Sequence, residues 1–351
     1  MTRAARIPVS LLTGFLGSGK TTILNHLVRQ HSFKRTLVLI NEFGEIGIDH
    51  DLVTHSDEDI VVEMASGCLC CTIRQDLRKT LRDAVWRFAR EGKRWFDRVI
   101  IETTGLADPV PVLHTLMTDT ILAQHYQLAS VVTAVDAANG LGTINRQEEC
   151  LRQIAVSDHL LLTKSDIADP DGLANLRRRL AMLNPAAPVT TADHGRVEPD
   201  VFFGTRGFDP SRKGPEVLAW LDAEAYAAVA DHHHHHDVNR HDAQISATCM
   251  IFEEPIHQAA FDSWLGLLLA LRGPDLLRVK GIVNMVGIDR PYVLHGVQHI
   301  FHDGLILNKW PTEDRRTRIV FITRNVDVSA LPDMLKAFNR SAARRLRAAR
   351  A

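Results

Sequence analysis

Near the amino terminus, Gly14-Phe15-Leu16-Gly17-Ser18-Gly19-Lys20-Thr21 fits the pattern G-x-x-x-x-G-K-[ST]. Each residue type has a reason to stand there. The glycines let the backbone curl until successive N–H groups face phosphate oxygens, Lys20 sets a positive charge over the β- and γ-phosphates, and Thr21 offers a hydroxyl to Mg²⁺. A helix opening directly after the loop adds the partial positive charge of its amino terminus. With the whole pattern in place, a Gly-rich turn without a ligand is the lesser reading.

Two further stretches extend this chemistry. Glu102-Thr103-Thr104-Gly105 closes an apolar run. A carboxylate at that strand end can hold Mg²⁺, directly or through water, and the glycine three residues on lets a backbone N–H approach a γ-phosphate. Thr163-Lys164-Ser165-Asp166 closes another apolar run and resembles the guanine-reading N-K-x-D. Asp166 can accept from guanine N1–H and the 2-amino group, whereas adenine presents an acceptor at N1, so the site favours GTP over ATP. The aliphatic stem of Lys164 can pack on the base. Thr163 stands where Asn is usual, and its shorter side chain is expected to bond the loop or the purine less fully.

Cys68-Leu69-Cys70-Cys71 places three thiols in four positions. Thiolates are soft ligands for Zn²⁺ or Cu(I), and three of them leave one corner of a tetrahedron open. Ordinary buried or redox-active cysteines are the competing reading. The cysteines lie between the second strand and Glu102, an interval that in GTPases responds to the γ-phosphate. Ahead of them, Asn41 to Asp49 is Gly-rich and acidic and reads as a first switch segment. There Glu42 could complete the metal site and Asp49 could approach Mg²⁺; solvated loop carboxylates are the alternative. Cys150 and Cys249 are isolated and read as small core residues. A run of five histidines, His232, His233, His234, His235 and His236, could hold several first-row ions loosely or be a polar linker. His295 and His299, expected on one face of a strand, read with His302 as ordinary structural or surface histidines.

These groups need elements to hold them. Val9–Thr13, Arg35–Ile40, Asp59–Glu63, Val99–Glu102, Ser130–Asp136 and His159–Thr163 are mostly unbroken apolar runs, the pattern of parallel strands covered on both faces. Helical stretches such as Thr21–Gln30 and Gln75–Arg90 alternate with them. The expected fold is α/β, a P-loop doubly wound parallel sheet over 1–225. Asp193–Pro215 and the histidine run read as linker, with 226–243 as its His-rich part. A smaller α+β unit over 244–351 follows, with strands at Ile245–Phe252, Leu277–Val286, Tyr292–His295 and Arg318–Thr323, and helices at Phe261–Leu271 and Leu331–Arg345. The basic tail from Arg340 reads as a solvated helix end.

Composition removes other classes. Forty-one basic and 42 acidic residues give a net charge of −1, against a generally basic nucleic-acid binder. The longest apolar run, Leu265–Leu271, is far short of the ~20 residues that span a bilayer. No secretion signal is evident, and five clustered or isolated cysteines are no disulfide framework, so a reducing cytoplasmic setting is expected.

Taken together, Gly14–Thr22, Asn41–Asp49, Glu63–Leu77, Ile101–Pro109 and Thr163–Asp166 resemble the CobW-like family of P-loop GTPases, relatives of the HypB and UreG metallocentre proteins. Leu276–Gly281 and His295–His299 resemble that family's carboxy-terminal domain. The resemblance implies GTP hydrolysis coupled to delivery of a transition metal, often zinc with cobalt also represented, to a client metalloprotein. It implies nucleotide held by Gly14, Gly17, Ser18, Gly19, Lys20, Thr21, Thr22, Thr163, Lys164 and Asp166, with Lys20, Glu102 and Gly105 acting on the phosphates. It implies the C-x-C-C cysteines as metal ligands; Mg²⁺ at Thr21 and Glu102 with Asp49, and Glu42 as a further metal ligand, are read from the motifs and their positions. A metal buffer with nucleotide as a regulatory ligand, cobalt delivery for cobalamin-type cofactor assembly, and an ATP-dependent kinase are the competing functions. Leu106 follows Gly105 where a water-orienting Gln would be expected, so intrinsic turnover is expected to be slow.

Overall fold

The structure, a computed structural model, describes residues 6–41, 60–63, 72–90, 92–204, 221, 245–301 and 305–348. These fall into two compact units, one within 1–180 and 187–208, the other within 181–186 and 209–351.

The first unit is built on a seven-stranded sheet whose pairings are all parallel. Its strands are β1 (Ile7–Thr13), β2 (Thr36–Asn41), β3 (Ile60–Glu63), β4 (Arg98–Thr103), β5 (Tyr126–Asp136), β6 (His159–Thr163) and β7 (Val189–Thr191). Across the sheet they run β3-β2-β4-β1-β5-β6-β7. Helices α1 (Lys20–Val28), α2 (Thr72–Arg87), α3 (Val110–Thr118), α4 (Gly140–Arg146), α5 (Glu148–Ala155) and α6 (Pro170–Leu183) supply the crossovers. Burial on both faces explains the unbroken apolar runs: every residue of β6 is buried, as are five of the six in β4. On one face Ile23, Leu24 and Leu27 of α1 pack with Leu12, Val38, Ile100, Val132 and Phe202. In this order the chain turns from one side of β1 to the other, so the carboxyl ends of β1, β4, β5 and β6 share the edge where open α/β sheets take ligands.

Several elements of the first unit differ from the sequence expectation. Strand β5 begins four residues earlier than expected, at Tyr126, whose hydroxyl donates to the Leu81 carbonyl at 2.7 Å. Helix α2 stops at Arg87, because Ala89–Arg90 and Lys93–Arg94 turn back on each other as a small ribbon through Gly92. Strand β7 falls in a stretch too short and polar to read as one.

Among the described residues, the second unit is an antiparallel sheet with two helices. Strands β8 (Ile245–Phe252), β9 (Leu276–Val283), β10 (Tyr292–Val297), β11 (Ile300–Phe301) and β13 (Thr317–Arg324) lie in the order β8-β13-β9-β10-β11, with β12 (Leu305–Ile306) on β10. Helices α7 (Gln258–Arg272) and α8 (Leu331–Ala348) give Phe261, Trp264, Leu268, Leu331 and Leu335 to a core with Met250, Val279, Leu294 and Phe321. His295 is buried on β10, while His299 lies exposed in the turn to β11, so the two do not share a face. Among the described residues no helix is long and apolar enough to cross a membrane.

Candidate functional site

The phosphate-type loop leaves β1 at Thr13 and enters α1 at Lys20. Gly17 and Gly19 hold φ of 71° and 84°, left-handed values that turn the loop tightly enough for its N–H groups to converge. No side chain caps α1 among the described residues, so its first-turn N–H groups stay available to an anion. Lys20 is buried, and its Nζ donates to the carbonyls of Gly14 at 2.9 Å and Phe15 at 3.3 Å, lying back along the loop. Thr21 Oγ1 donates to Glu102 Oε1 at 3.3 Å. Glu102, 1% exposed, comes from the carboxyl end of β4, two pairing positions above Ile100 on the neighbour of β1. A hydroxyl and a carboxylate at that separation suit adjacent corners of a Mg²⁺ octahedron, whose neighbouring ligands lie about 3 Å apart. The donor set therefore fits Mg²⁺.

Gly105 follows in the loop after β4. A Cβ there would sit 2.5 Å from the backbone nitrogen of Leu16, so only glycine lets this loop touch the phosphate-type loop. Thr104 closes the turn: its carbonyl accepts from Ala107 N at 3.1 Å and its hydroxyl from Leu106 N at 3.3 Å. Leu16 and Leu106 remain 56% and 53% exposed, two apolar side chains at the edge of the site.

Thr163, Lys164 and Asp166 stand beside this loop. Thr163 ends β6, and its hydroxyl donates to the Ser18 carbonyl at 2.8 Å, while its methyl lies 3.3 Å from where a Gly19 Cβ would be. The short side chain thus does reach the loop. Lys164, in a left-handed conformation at φ 55°, pairs its Nζ with Asp136 Oδ2 at 2.8 Å. Asp136 also accepts from the backbone N–H groups of Ala138 and Asn139, fastening the approach to α4. Burial works to raise the Asp136 pKa, but the hydrogen bonds from Lys164 and Asn139 outweigh it and hold the carboxyl below its ordinary range. A cavity of about 160 Å³ opens here, lined by Gly19, Thr163, Lys164 and Asp166 on one side and by Ala192, His194 and Gly195 on the other.

Two family models match the chain. Residues 8–191 match the CobW/HypB/UreG nucleotide-binding domain, and residues 245–339 the cobalamin synthesis protein cobW carboxy-terminal domain. The chain belongs to the CobW/HypB/UreG family. It is 31% identical to the zinc chaperone YjiA of Escherichia coli, over 90% of this chain and 93% of that protein. It is 30% identical to the zinc chaperone CobW of Pseudomonas aeruginosa, over 96% and 92%. The crystal structure of Zn(II)-bound YjiA GTPase from E. coli superimposes with a TM-score of 0.71 at 26% identity, covering 95% of this chain and 99% of that one.

In this CobW-family chain the structure gathers the loop residues, Glu102, Gly105 and Thr163–Asp166 at one sheet edge. Glu42, Asp49, Cys68, Cys70, Cys71 and His232 to His236 lie outside the described residues. Among the described residues no group of three or more His, Cys, Asp or Glu gathers to hold a metal ion. Burial pushes the Cys150 thiol up to about 12, the behaviour of an inert core cysteine, while Cys249, only half-buried on β8, is raised to about 11.

Sequence reasoning missed the far wall of the cavity. It read Asp193 onward as linker, but His194 and Gly195, at φ 47° and 80°, make a tight turn closed by Arg196 N donating to the Asp193 carbonyl at 2.8 Å. Ala192 N donates to the Leu162 carbonyl at 2.7 Å, tying the turn to β6. The available signal was turn chemistry, Asp193-His194-Gly195 one residue after the β-branched run Val189-Thr190-Thr191.

Proposed function

We propose that this P-loop GTPase is a metallochaperone that binds a transition metal, zinc foremost and cobalt as the alternative, at Cys68, Cys70 and Cys71 with Glu42. GTP hydrolysis then releases the metal to a client metalloprotein in the cytoplasm. The zinc-chaperone relatives support the metal.

The observation that carries the coupling is the register of the strands from which these residues issue. Ile40 of β2 pairs with Glu63 of β3 on one side and with Glu102 of β4 on the other. Glu63 and Glu102 are therefore level, two strand spacings or about 10 Å apart. Cys68 follows Glu63 by five residues, a reach of at most about 18 Å. Glu42 follows the last residue of β2, and Cys71 precedes the first residue of α2. The segments that carry the proposed ligands thus begin where β2 and β3 end, at the sheet edge that carries the phosphate-type loop.

In the cycle, the triphosphate seats on the N–H groups of Gly14–Thr22, with Lys20 turning from its carbonyls to the phosphates. Thr21 and Glu102, joined by Asp49, would hold Mg²⁺, which when bound would neutralise charge developing on the phosphates. Gly105 offers its N–H to the γ-phosphate, and Asp166 reads guanine. Leu106 supplies no polar group to orient water, so turnover by the chain alone is slow. Coupling of this kind is reciprocal: nucleotide changes metal affinity by the factor with which metal changes nucleotide affinity.

Titrating Zn²⁺ into the full chain with GDP and with a non-hydrolysable GTP analogue tests this. Affinities differing about tenfold, and an equal shift in analogue affinity on adding Zn²⁺, are expected; equal affinities refute the coupling. Lys20→Ala separates the reading from passive metal storage, since a buffer keeps its cellular effect in that variant and a GTP-driven chaperone loses it.

A further inference from the structure

The loop that carries Gly105 is held from behind by helix α5. Gln153 is fully buried, and its Nε2 donates to the carbonyls of Gly105 at 3.1 Å and of Ala107 at 3.0 Å. Both amide hydrogens are used. The orientation is fixed by chemistry, because the flipped amide would press Oε1 against two carbonyl oxygens. Oε1 is then left buried with no hydrogen-bond partner among the described residues. A residue kept only to fill space would not leave a buried acceptor unsatisfied, which works against stability. Its neighbour Arg152 reaches the same loop, with Nη1 3.2 Å from Asp108 Oδ2. Helix α5 is itself anchored, since the Gln153 carbonyl accepts from Thr133 Oγ1 at 3.0 Å and Ser157 Oγ at 2.7 Å.

The gripped segment is the one that lies against Leu16. We propose that Gln153 is a positioning residue for GTP hydrolysis. It holds the Gly105–Ala107 turn against the phosphate-type loop, in the arrangement that reads a γ-phosphate. The inference rests on the reading of Gly105 as the γ-phosphate contact. Its consequence is selective: GDP has no γ-phosphate, so its binding does not depend on the grip.

The test uses the full chain with Gln153→Met, which keeps the volume and removes both donors. Affinities for fluorescent GDP and for a non-hydrolysable GTP analogue are measured with Mg²⁺, alongside the single-turnover rate. Analogue affinity and turnover are expected to fall about tenfold, the scale of two buried hydrogen bonds. GDP affinity stays within about twofold. Gln153→Glu, which sets carboxylate oxygens against the two carbonyls, shifts the analogue-to-GDP ratio further the same way. An unchanged ratio, or a parallel loss for both nucleotides, overturns the proposal. Should the Gln153 variants not fold, Arg152→Gln, whose side chain is partly exposed, reads the same ratio through Asp108. A twofold to fivefold analogue-specific loss is expected there, on the scale of a single ion pair, and an unchanged ratio again overturns the proposal. Binding of both nucleotides by the unaltered chain tests the underlying nucleotide reading separately.

Discussion

Thr163 joins the two halves of the candidate nucleotide site, so its hydroxyl is the sharpest place to perturb it. Thr163→Val keeps the volume and removes the donor to the Ser18 carbonyl, a 2.8 Å bond at a side chain only 4% exposed. Losing such a bond removes about 0.5–1.5 kcal/mol, and a buried carbonyl left without its donor adds about 1–3 kcal/mol unless the loop shifts to find water. The loop has room to shift, because Ser18 and Gly19 lie in a tight turn rather than inside a helix. The cost is therefore expected near 1.5 kcal/mol, close to tenfold in affinity, borne by the loop. Thr163→Ser is the companion: it keeps the donor and loses the methyl that packs near Gly19, a loss of about 1 kcal/mol in folding stability with little change in affinity.

Titration of fluorescent GDP and of a non-hydrolysable GTP analogue measures the effect, with urea unfolding alongside. Thr163→Val is expected to weaken both nucleotides by the same factor, since the phosphate-type loop serves both. Wild-type affinity in Thr163→Val would show that the hydroxyl does not organise the loop. A loss confined to the analogue would put Thr163 with the γ-phosphate group of residues and refute the reasoning from its bond to Ser18.

Four further outcomes are expected. In Gly105→Ala the new Cβ meets Leu16 backbone at 2.5 Å, so the two loops must part; single-turnover hydrolysis should slow at least about tenfold, and a wild-type rate would show the contact to be idle. Gly195→Ala adds a Cβ 2.6 Å from the Thr22 carbonyl at a φ of 80°; urea unfolding should show a loss of about 1–3 kcal/mol with weaker GDP binding, and an unchanged midpoint contradicts the turn. Asp136 has a folded pKa below its ordinary 3.8, so its contribution is present above that value and is lost as pH falls through the lower folded one; Asp136→Asn should flatten this acid limb of stability, and equal pH slopes in the two proteins speak against the pairing with Lys164. Cys150, raised to about 12 by burial, should resist alkylation in the native protein at pH 8, and rapid labelling mapped to it by mass spectrometry would contradict its burial.

What was legible in the sequence was what is local in the chain. Gly14–Thr21 and Thr163–Asp166 are each contiguous stretches, so spacing alone picks out both segments of the candidate site. The sheet was legible because strands covered on both faces cannot afford polar interruptions. Contacts between distant residues were not. Gln153 stands 48 residues from Gly105, and Thr163 stands 145 from Ser18. Nothing in the local composition of α5 marks Gln153, since a glutamine in an amphipathic helix is usually a surface residue; only the fold shows it buried. Strand β7 and the turn after it were hidden for another reason. Val189–Thr191 is three residues long, too short for alternation to register, and its burial pattern is half-buried then exposed.

The two ends of the candidate site are fastened with unequal strength, and that difference decides which end can move. At the base end, Thr163 is buried and bonded to Ser18, its carbonyl accepts from Ala137 N at 2.8 Å, and Lys164 is tied to Asp136, which is itself fixed to the start of α4. Those bonds tie the ends of β5 and β6 to each other and to the phosphate-type loop. At the phosphate end, the turn from Thr104 to Ala107 is anchored outward by the donors of a single glutamine and by an ion pair with more than a quarter of each partner exposed, worth at most about 1 kcal/mol. In the proposed cycle a γ-phosphate adds charge at this weaker end only. Loss or gain of that group can therefore shift residues 104–108 while the base pocket keeps its shape, which is the asymmetry a switch needs if it is to stay loaded with nucleotide while it changes state.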